Sequence, residues 1–270
     1  MHDQAEKAAR FLALHHGERP LLLANAWDVG SAKLLGSLGF EALATTSGGY
    51  AASLGRRDYG VSRDEALAHC AALVAATDLP VSADLENGFA DDPAGVAETL
   101  RLGAKTGLAG CSIEDWSATH RRLYDLEAAA ERVAAAASEA RSGPARVVLT
   151  ARAENYLRGN PDIEDTIARL RAFQEAGADV LYAPALDGAE ELRRLLAAVE
   201  LPVNVLARPS APPVAQLAAL GVRRVSVGGS LALAAYGEMV RAATELRDDG
   251  TYGFYELATV GADAARRAFG

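Results

Sequence analysis

The sequence predicts a single TIM-type (βα)8 barrel of the α/β class, on the basis of its alternating pattern, its junction residues and its length. Eight short apolar runs alternate with eight segments whose apolar residues recur every three or four positions, as on one face of a helix. Glycine stands at many helix-to-strand junctions, in phrases such as EAGADVL and ALGVRRV, because it readily adopts the left-handed conformation that ends a helix. Eight such units in about 250 residues match this barrel.

The order of the predicted elements favours a closed barrel over an open sheet. The predicted strands are 21–26, 42–47, 81–86, 110–114, 146–152, 180–186, 203–207 and 222–227. The predicted helices are 28–38, 62–76, 93–106, 127–141, 162–176, 189–199, 213–220 and 230–247. A doubly wound sheet usually has fewer units and a GxGxxG turn after its first strand, where this chain reads ANAWDVGS. We expect one domain over residues 1–270, with a C-terminal extension from about residue 251.

The composition argues against nucleic acids and membranes as partners. The chain has 270 residues, of which 50% are hydrophobic, and its net charge of −9 repels phosphate backbones. No apolar run approaches the roughly 20 residues of a membrane span, and we expect no signal peptide. The two cysteines, Cys70 and Cys111, form no metal-binding pattern, so we expect both to be buried and unpaired. The expected location is therefore the cytoplasm.

Three carboxylates follow two neighbouring predicted strands, at the end of the barrel where active sites lie. Asp84 and Glu86 are two residues apart in VSADLENG, and Glu114 ends the next strand. Residues i and i+2 of a strand point to the same side, so these acids would repel one another without a cation between them. Helix capping could explain one such acid, but three together favour Mg²⁺, with Mn²⁺ as an alternative.

Other polar residues at the predicted strand ends suit an anionic substrate. Ser47, Gly48 and Gly49 offer a hydroxyl and backbone amides as an anion cradle. Arg152 has two interpretations that the sequence leaves open, a two-point grip on a substrate carboxylate or a structural ion pair with Glu154 or Glu114. Asn204 is a further candidate for substrate binding.

At this point the motifs resemble those of a known family. The matching phrases run in order over about residues 20–235, and they are NAWDVGSAKLLGSLGFEALATTSGG, RRDYG, LPVSADLENGF, GLAGCSIED, TARAEN, EAGADVLYAPAL, LPVNVLA and GVRRVSVGGSL. They resemble the isocitrate lyase/phosphoenolpyruvate mutase superfamily. The likeness is greatest to short bacterial members of the carboxyvinyl-carboxyphosphonate phosphorylmutase or 2-methylisocitrate lyase-like kind.

The resemblance implies an enzyme and an assembly. It implies Mg²⁺ near Asp84, Glu86 and Glu114, with the catalytic candidate Asp58 of RRDYG nearby. It also implies that the Ser47-Gly48-Gly49 segment holds the substrate carboxylate with help from Arg152. Substrates would be 2-oxo acids, or hydroxy acids that yield them, reacting through an enolate. The assembly would be a homotetramer, a dimer of dimers, in which the eighth barrel helix packs on a partner subunit.

One loop departs from the family pattern. The lyases of this family carry a Lys-Arg-Cys-Gly-His loop after strand four, whereas residues 116–124 read WSATHRRLY and contain no cysteine. His120 is the residue of this loop whose usual pKa suits proton transfer, and Tyr124 is a second candidate. A solvated loop histidine is the alternative interpretation of His120. We expect the loop to close over bound substrate. His15 and His16 precede the first strand, and we expect both at the surface.

The sequence therefore leaves three possible functions. The favoured one is a Mg²⁺-dependent lyase or hydrolase that breaks a C–C bond beside the carbonyl or hydroxyl of a small 2-oxo or 2-hydroxy dicarboxylic acid. The second is an enzyme that acts on the P–C bond of phosphonopyruvate. The third is a 2-oxo-acid-binding protein with little catalysis, since the loop lacks the family's proton-handling residues.

Overall fold

Eight parallel strands close into a barrel in the computed structural model, which describes residues 3–269, so the predicted fold class is confirmed. In order around the ring the strands are β1 (Leu21–Ala26), β2 (Leu43–Thr45), β3 (Val81–Asp84), β4 (Gly110–Glu114), β7 (Val148–Arg152), β8 (Val180–Tyr182), β9 (Val203–Leu206) and β10 (Arg224–Ser226). A small antiparallel hairpin of β5 (Trp116–Ser117) and β6 (Arg122–Leu123) follows β4.

The helices surround this ring and extend beyond it. They are α1 (Gln4–Leu14), α2 (Val29–Ser37), α3 (Ser47–Ser53), α4 (Arg63–Ala76), α5 (Pro93–Ala104), α6 (Leu126–Ser142), α7 (Ile163–Glu175), α8 (Ala189–Ala198), α9 (Val214–Leu220), α10 (Ser230–Asp248) and α11 (Tyr255–Phe269). The eight predicted helices correspond to α2 and to α4 through α10, whereas α1, α3 and α11 were not predicted. Within residues 3–269 no helix is both long and apolar enough to cross a bilayer.

Side-chain caps fix where several helices begin. Ser62 and Glu65 form a reciprocal capping box at the start of α4, and Asp162 accepts two backbone N–H groups at the start of α7. Asp92 caps α5, whose first residue, Pro93, needs no hydrogen-bond acceptor for its nitrogen. These short polar residues interrupt the apolar pattern, so the helix starts were predicted to within a residue or two.

Three strand ends differ from the prediction by two residues or more. β2 ends at Thr45, and Ser47 begins α3 instead of ending the strand, because the Thr46 side chain caps that helix. β3 ends at Asp84, and Glu86 has a left-handed backbone with φ of 50°, so it does not continue the strand. β8 ends at Tyr182 rather than at residue 186. The chain therefore turns away from the sheet earlier than apolar runs suggest.

Helix α1 closes the bottom of the barrel and overturns the expectation for His15. Phe11 is fully buried among inward-facing strand residues that include Leu23, Val148 and Val180. His15, expected at the surface, is also fully buried, with its ring 4.8 Å from that of Phe11 in an edge-to-face contact. His16 is exposed, as expected.

The apolar core lies mainly between the strands and the outer helices, and it contains both cysteines. Cys70 and Cys111 are buried and free, as predicted.

Gly110 on β4 is required by the packing of α1 against the strands. Phe11 of α1 lies so close that a Cβ atom at Gly110 would be 2.5 Å from its ring.

Arg132 anchors the loop that follows β3. Its side chain is 2% exposed, and its guanidinium donates to the carbonyl oxygens of Asn87, Ala90 and Asp91. The same guanidinium lies 3.9 Å from the centre of the Tyr124 ring. One cation on α6 therefore holds a loop that leaves the barrel mouth.

We predict that Arg132→Met lowers the free energy of unfolding by about 2–4 kcal/mol, because three carbonyl groups of one loop lose a buried charged donor. Urea denaturation followed by circular dichroism measures the change. Arg101→Met, which removes a solvent-exposed arginine paired with Glu98 on α5, is the matched control and should lower the free energy of unfolding far less. Equal losses in the two variants would contradict the anchoring role.

Candidate active site

A cavity of about 440 Å³ opens at the carboxyl ends of the barrel strands, where the sequence placed the site. Seven of the predicted site residues line it: Ser47, Gly48, Gly49, Asp58, Asp84, Glu114 and Arg152. The other four, Glu86, Asn204, His120 and Tyr124, do not line this cavity. The strand ends thus bring most of the predicted substrate and metal residues together, while Glu86, Asn204 and the two predicted proton donors, His120 and Tyr124, lie outside this cavity.

Arg152 lies at the centre of the rim and contacts three carboxylates. Its Nη1 atom is 3.0 Å from Asp84 Oδ1, and its Nη2 atom is 3.0 Å from Glu114 Oε2 and 2.7 Å from Glu154 Oε1. Burial alone would lower the pKa of Arg152, but these acids raise it well above its usual value. The structure therefore supports the ion-pair interpretation of Arg152 that the sequence left open.

Two further residues of the rim were missed from the sequence. Tyr59 donates its hydroxyl hydrogen to Glu114 Oε1 at 2.6 Å, and Arg158 contacts that hydroxyl and lies 3.2 Å from Glu154 Oε2. Burial and the Glu114 charge raise the pKa of Tyr59, so the phenol keeps its proton. Tyr59 could have been found from the sequence, because it directly follows the candidate Asp58 in the RRDYG motif. Arg158 does not directly follow a strand, so its position in the sequence does not indicate a place at the rim.

The Ser47-Gly48-Gly49 segment packs directly against the acids. Ser47 donates to Asp84 Oδ2 from its backbone nitrogen at 3.3 Å and from its hydroxyl at 3.0 Å. A Cβ atom at Gly48 would lie 3.3 Å from the Asp58 carboxyl group, and one at Gly49 would clash with Thr46 at 2.5 Å. Position 49 therefore needs glycine because of Thr46, whereas a side chain at position 48 would press on the Asp58 carboxyl group.

The acids at this edge of the cavity fit a divalent cation. Burial, Asp84 and Asp58 raise the pKa of Glu86 to about 8, and burial and Asp84 raise the pKa of Asp58. Burial is the larger cause of both pKa shifts, and the negative charge of Asp84 adds to it. Carboxylate oxygens are the ligands that Mg²⁺ prefers. Within residues 3–269 no three acidic, histidine or cysteine side chains form a ready ligand set. A Mg²⁺ ion held by one or two carboxylates and by water would still suit this edge.

The residues predicted as proton donors lie on or beside the small hairpin. His120 is 55% exposed, and its Nε2 atom is 3.2 Å from Asp91 Oδ2. Tyr124 is buried, its hydroxyl donates to Asp91, and it accepts a hydrogen bond from Asn87 at 2.9 Å. A catalytic role for either residue stays a prediction that requires the loop to move.

The remaining substrate candidate, Asn204, lies inside the barrel below the rim. It is 1% exposed, and its Nδ2 atom donates to Ser226 Oγ at 2.9 Å. Its Oδ1 atom accepts a hydrogen bond from Arg224 at 2.9 Å. Both ends of the amide are therefore used by the protein.

The chain is similar to proteins of one known family. Residues 11–247 match the family model described as phosphoenolpyruvate phosphomutase. A protein structure from Burkholderia cenocepacia J2315, assigned provisionally as a lyase/mutase, is 52% identical with a TM-score of 0.93, and the match covers 97% of this chain and 95% of that one.

Two relatives have named activities. A 2,3-dimethylmalate lyase from Eubacterium barkeri is 30% identical over 197 residues, which cover 70% of this chain and 66% of that protein. The structure of oxaloacetate acetylhydrolase with its product oxalate is 26% identical with a TM-score of 0.83, and the match covers 93% of this chain and 89% of that one.

The family model spans the whole barrel, from the end of α1 into α10, and the named relatives act on small organic acids. The chain therefore belongs to the phosphoenolpyruvate phosphomutase family, within the isocitrate lyase/phosphoenolpyruvate mutase superfamily, as its motifs predicted.

Proposed function

We propose that this chain is a Mg²⁺-dependent enzyme that breaks the C–C bond beside the hydroxyl or carbonyl of a small 2-hydroxy or 2-oxo dicarboxylic acid. The observation that carries the proposal is the composition of the cavity, where Asp58, Asp84 and Glu114 lie beside arginines and a hydroxyl-bearing glycine turn. Such a site combines hard oxygen ligands for a cation with donors for an anion. The activities of the dimethylmalate lyase and oxaloacetate acetylhydrolase relatives support this substrate class.

The reaction needs two proton transfers around one bond cleavage. A base removes the proton of the C2 hydroxyl, the electron pair of the C2–C3 bond moves onto the released fragment as an enolate, and C2 becomes the carbonyl of a 2-oxo acid. A proton is then delivered to C3. For a 2-oxo substrate, water first adds to the carbonyl, and the same bond then breaks to give two carboxylic acids.

Residues of the cavity can be assigned to these steps. Asp58 is the proposed base, because burial and Asp84 raise the pKa of its carboxyl group and so make the carboxylate a better proton acceptor. Tyr59 is the proposed proton donor, since its hydroxyl group lines the cavity beside Asp58 and carries a hydrogen, which it donates to Glu114 when no substrate is bound. Mg²⁺ held at Asp84, with Glu86 and Glu114 acting directly or through water, would stabilise negative charge on the substrate oxygens.

We predict that the purified protein converts a 2-hydroxy or 2-oxo dicarboxylic acid only when Mg²⁺ or Mn²⁺ is present, and that Asp84→Ala abolishes this turnover. Removing the carboxylate takes away the principal oxygen ligand of the cation, and calorimetric titration of Mg²⁺ into the variant should show its loss. A substrate panel that includes malate, 2,3-dimethylmalate and oxaloacetate, with product analysis by mass spectrometry, measures the activity.

The same assay separates the alternatives. Asp187→Ala removes an acid that lies outside the cavity lining and serves as the control, so it should keep Mg²⁺ binding and turnover. Phosphate or phosphoenolpyruvate formed from phosphonopyruvate, without cleavage of any dicarboxylate, would replace this proposal with the P–C bond enzyme. Binding of 2-oxo acids without turnover of any of these compounds would favour the binding protein.

We predict that Tyr59→Phe lowers kcat by about 100-fold or more while KM changes little, because the proton donor acts in the transition state. Steady-state kinetics on the substrate found above measure both constants. Tyr156→Phe is the matched control, since its hydroxyl also donates to a glutamate, Glu191, but lies outside the cavity. A large fall in kcat for His120→Ala and none for Tyr59→Phe would instead show that the hairpin closes and supplies the proton.

We also propose that the chain forms a homo-oligomer in which α10 packs on a partner subunit. Ala232 is the buried residue of the 19-residue helix α10, and α11 buries none of its described side chains. Apolar side chains on the two helices have about half or more of their surface exposed: Leu233, Met239, Val240, Leu246, Tyr255, Leu257 and Val260. On the outer face of β1, Leu22 is 43% exposed although barrel strands are normally covered by helices.

We predict a mass in multi-angle light scattering that is a multiple of the 28.2 kDa chain, with a tetramer expected. The double variant Met239→Glu/Val240→Glu should shift the mass toward the monomer, because charges in a buried apolar contact are costly. Arg193→Glu, an exposed change on α8, is the control and should keep the assembly. A monomeric mass for the unmodified protein at micromolar concentration would refute the proposal.

A further inference from the structure

The barrel interior below the rim is polar and only partly filled. TIM barrels usually fill this space with layers of bulky branched side chains. Here several inward-facing strand residues below the rim are small or polar, and they are Ala44, Ser82, Ser112, Thr150, Asn204 and Arg224. The cavity that opens at the rim reaches down to Leu23, Ser82, Ser112 and Arg224, so a ligand can extend from the rim into this layer.

Arg224 is a buried cation on the floor of this cavity, and its partners are neutral. The residue is 3% exposed. Its Nε atom donates to Asn204 Oδ1 at 2.9 Å, and its Nη1 atom donates to Thr150 Oγ1 at 3.0 Å. The same Nη1 atom lies 3.3 Å from His15 Nε2. None of these three groups carries a negative charge.

His15 is held as the neutral tautomer, so it brings no charge to its contact with Arg224. Its Nδ1 atom lies 2.7 Å from the Phe11 carbonyl oxygen and must donate to it, which leaves Nε2 as the acceptor for Arg224. Burial, together with the Arg224 charge, lowers the pKa of His15 to about 3, so the ring is neutral. The bottom of the barrel therefore positions the guanidinium without neutralising it.

The other arginines of the cavity are already paired with acids. Arg152 contacts three carboxylates, and Arg158 contacts Glu114 and Glu154. Three arginines of residues 3–269 line the cavity, and of these Arg224 is the one with no carboxylate partner. A buried charge without a counter-charge is strongly unfavourable, so an anion that reached this layer would be bound well.

Two hydroxyl groups adjoin the same layer. The Arg224 side chain crosses the barrel from β10 to Thr150 on β7, and Ser112 on β4 is the register partner of Thr150. Ser82 on β3 lines the cavity at the neighbouring strand. Both serine side chains can donate to a carboxylate that arrives beside the guanidinium.

We propose that Arg224, assisted by Ser82 and Ser112, is a second carboxylate site that binds the far carboxylate of the substrate and makes the enzyme specific for dicarboxylic acids. This inference rests on the proposed function for the identity of the substrate, since the near carboxylate and the reacting carbon would lie at the rim. The far carboxylate would point down the barrel axis, toward the helix α1 plug.

A matched pair of ligands tests the second site directly. Malate and 2-hydroxybutyrate have the same four-carbon chain and 2-hydroxyl group, but malate has a carboxylate where 2-hydroxybutyrate has a methyl group. Titration calorimetry of the whole protein with Mg²⁺ should show malate binding about 10- to 100-fold more tightly, as expected for one charge-assisted contact. Arg224→Met should reduce this ratio to within about threefold while leaving the affinity for 2-hydroxybutyrate nearly unchanged.

Two variants serve as controls. Arg223→Met removes the neighbouring exposed arginine, which donates to the Gly17 carbonyl oxygen, and it should keep the wild-type ratio. Arg224→Lys keeps the charge, so it should retain part of the preference and shows whether a loss in Arg224→Met comes from the charge or from misfolding. If Arg224→Met does not fold, a crystal structure of the wild-type protein with malate decides, because a carboxylate of malate must then contact the Arg224 guanidinium.

The outcomes separate this inference from the proposed function. Equal affinities of the wild-type protein for the two ligands would overturn the second site, and so would an unchanged ratio in Arg224→Met, even if dicarboxylates are cleaved. A preference for malate that Arg224→Met removes, in a protein that cleaves no dicarboxylate, would keep the second site and overturn the proposed reaction.

Discussion

The arrangement of the rim depends on one guanidinium. Arg152 joins Asp84 at the end of β3, Glu114 at the end of β4 and Glu154 after its own strand, so it connects the chain across three neighbouring strands. Without this cation the acids would face one another in a partly buried cavity, where their repulsion is weakly screened. Arg152 therefore holds these acids in place, and a substrate carboxylate that contacts Arg152 has to compete with Asp84, Glu114 and Glu154 for its guanidinium.

Even with this cation the rim carries an excess of negative charge. Arg152 and Arg158 are surrounded by five carboxyl groups, those of Asp58, Asp84, Glu86, Glu114 and Glu154. Burial and the Glu154 charge raise the pKa of Glu114 well above its usual value, as burial and Asp84 do for Glu86. Protonation relieves part of the repulsion in the absence of metal, and a divalent cation would relieve it without protons.

The sequence predicted the barrel because its signals are local, and it missed features that depend on distant contacts. Alternating apolar segments and helix-ending glycines report directly on local structure, so eight strands and their helices could be placed. The burial of His15 could not be predicted, because it depends on α1 packing under the barrel. There His15 contacts Arg224, which comes about 200 residues later in the chain. Likewise Arg158 reaches Glu114 across 44 residues, and no spacing rule indicates this contact.

The barrel interior has three levels with different physical roles, and this division explains how a polar cavity is compatible with a stable fold. At the bottom, Phe11 and its neighbours form an apolar plug that excludes water from one end. In the middle, Arg224 donates to Asn204 and Thr150, and this hydrogen-bonded network leaves space above it. At the top, the acids and Arg152 form the charged rim. Most apolar burial lies outside the ring, between strands and helices, so the interior is free to carry charge where a ligand needs it.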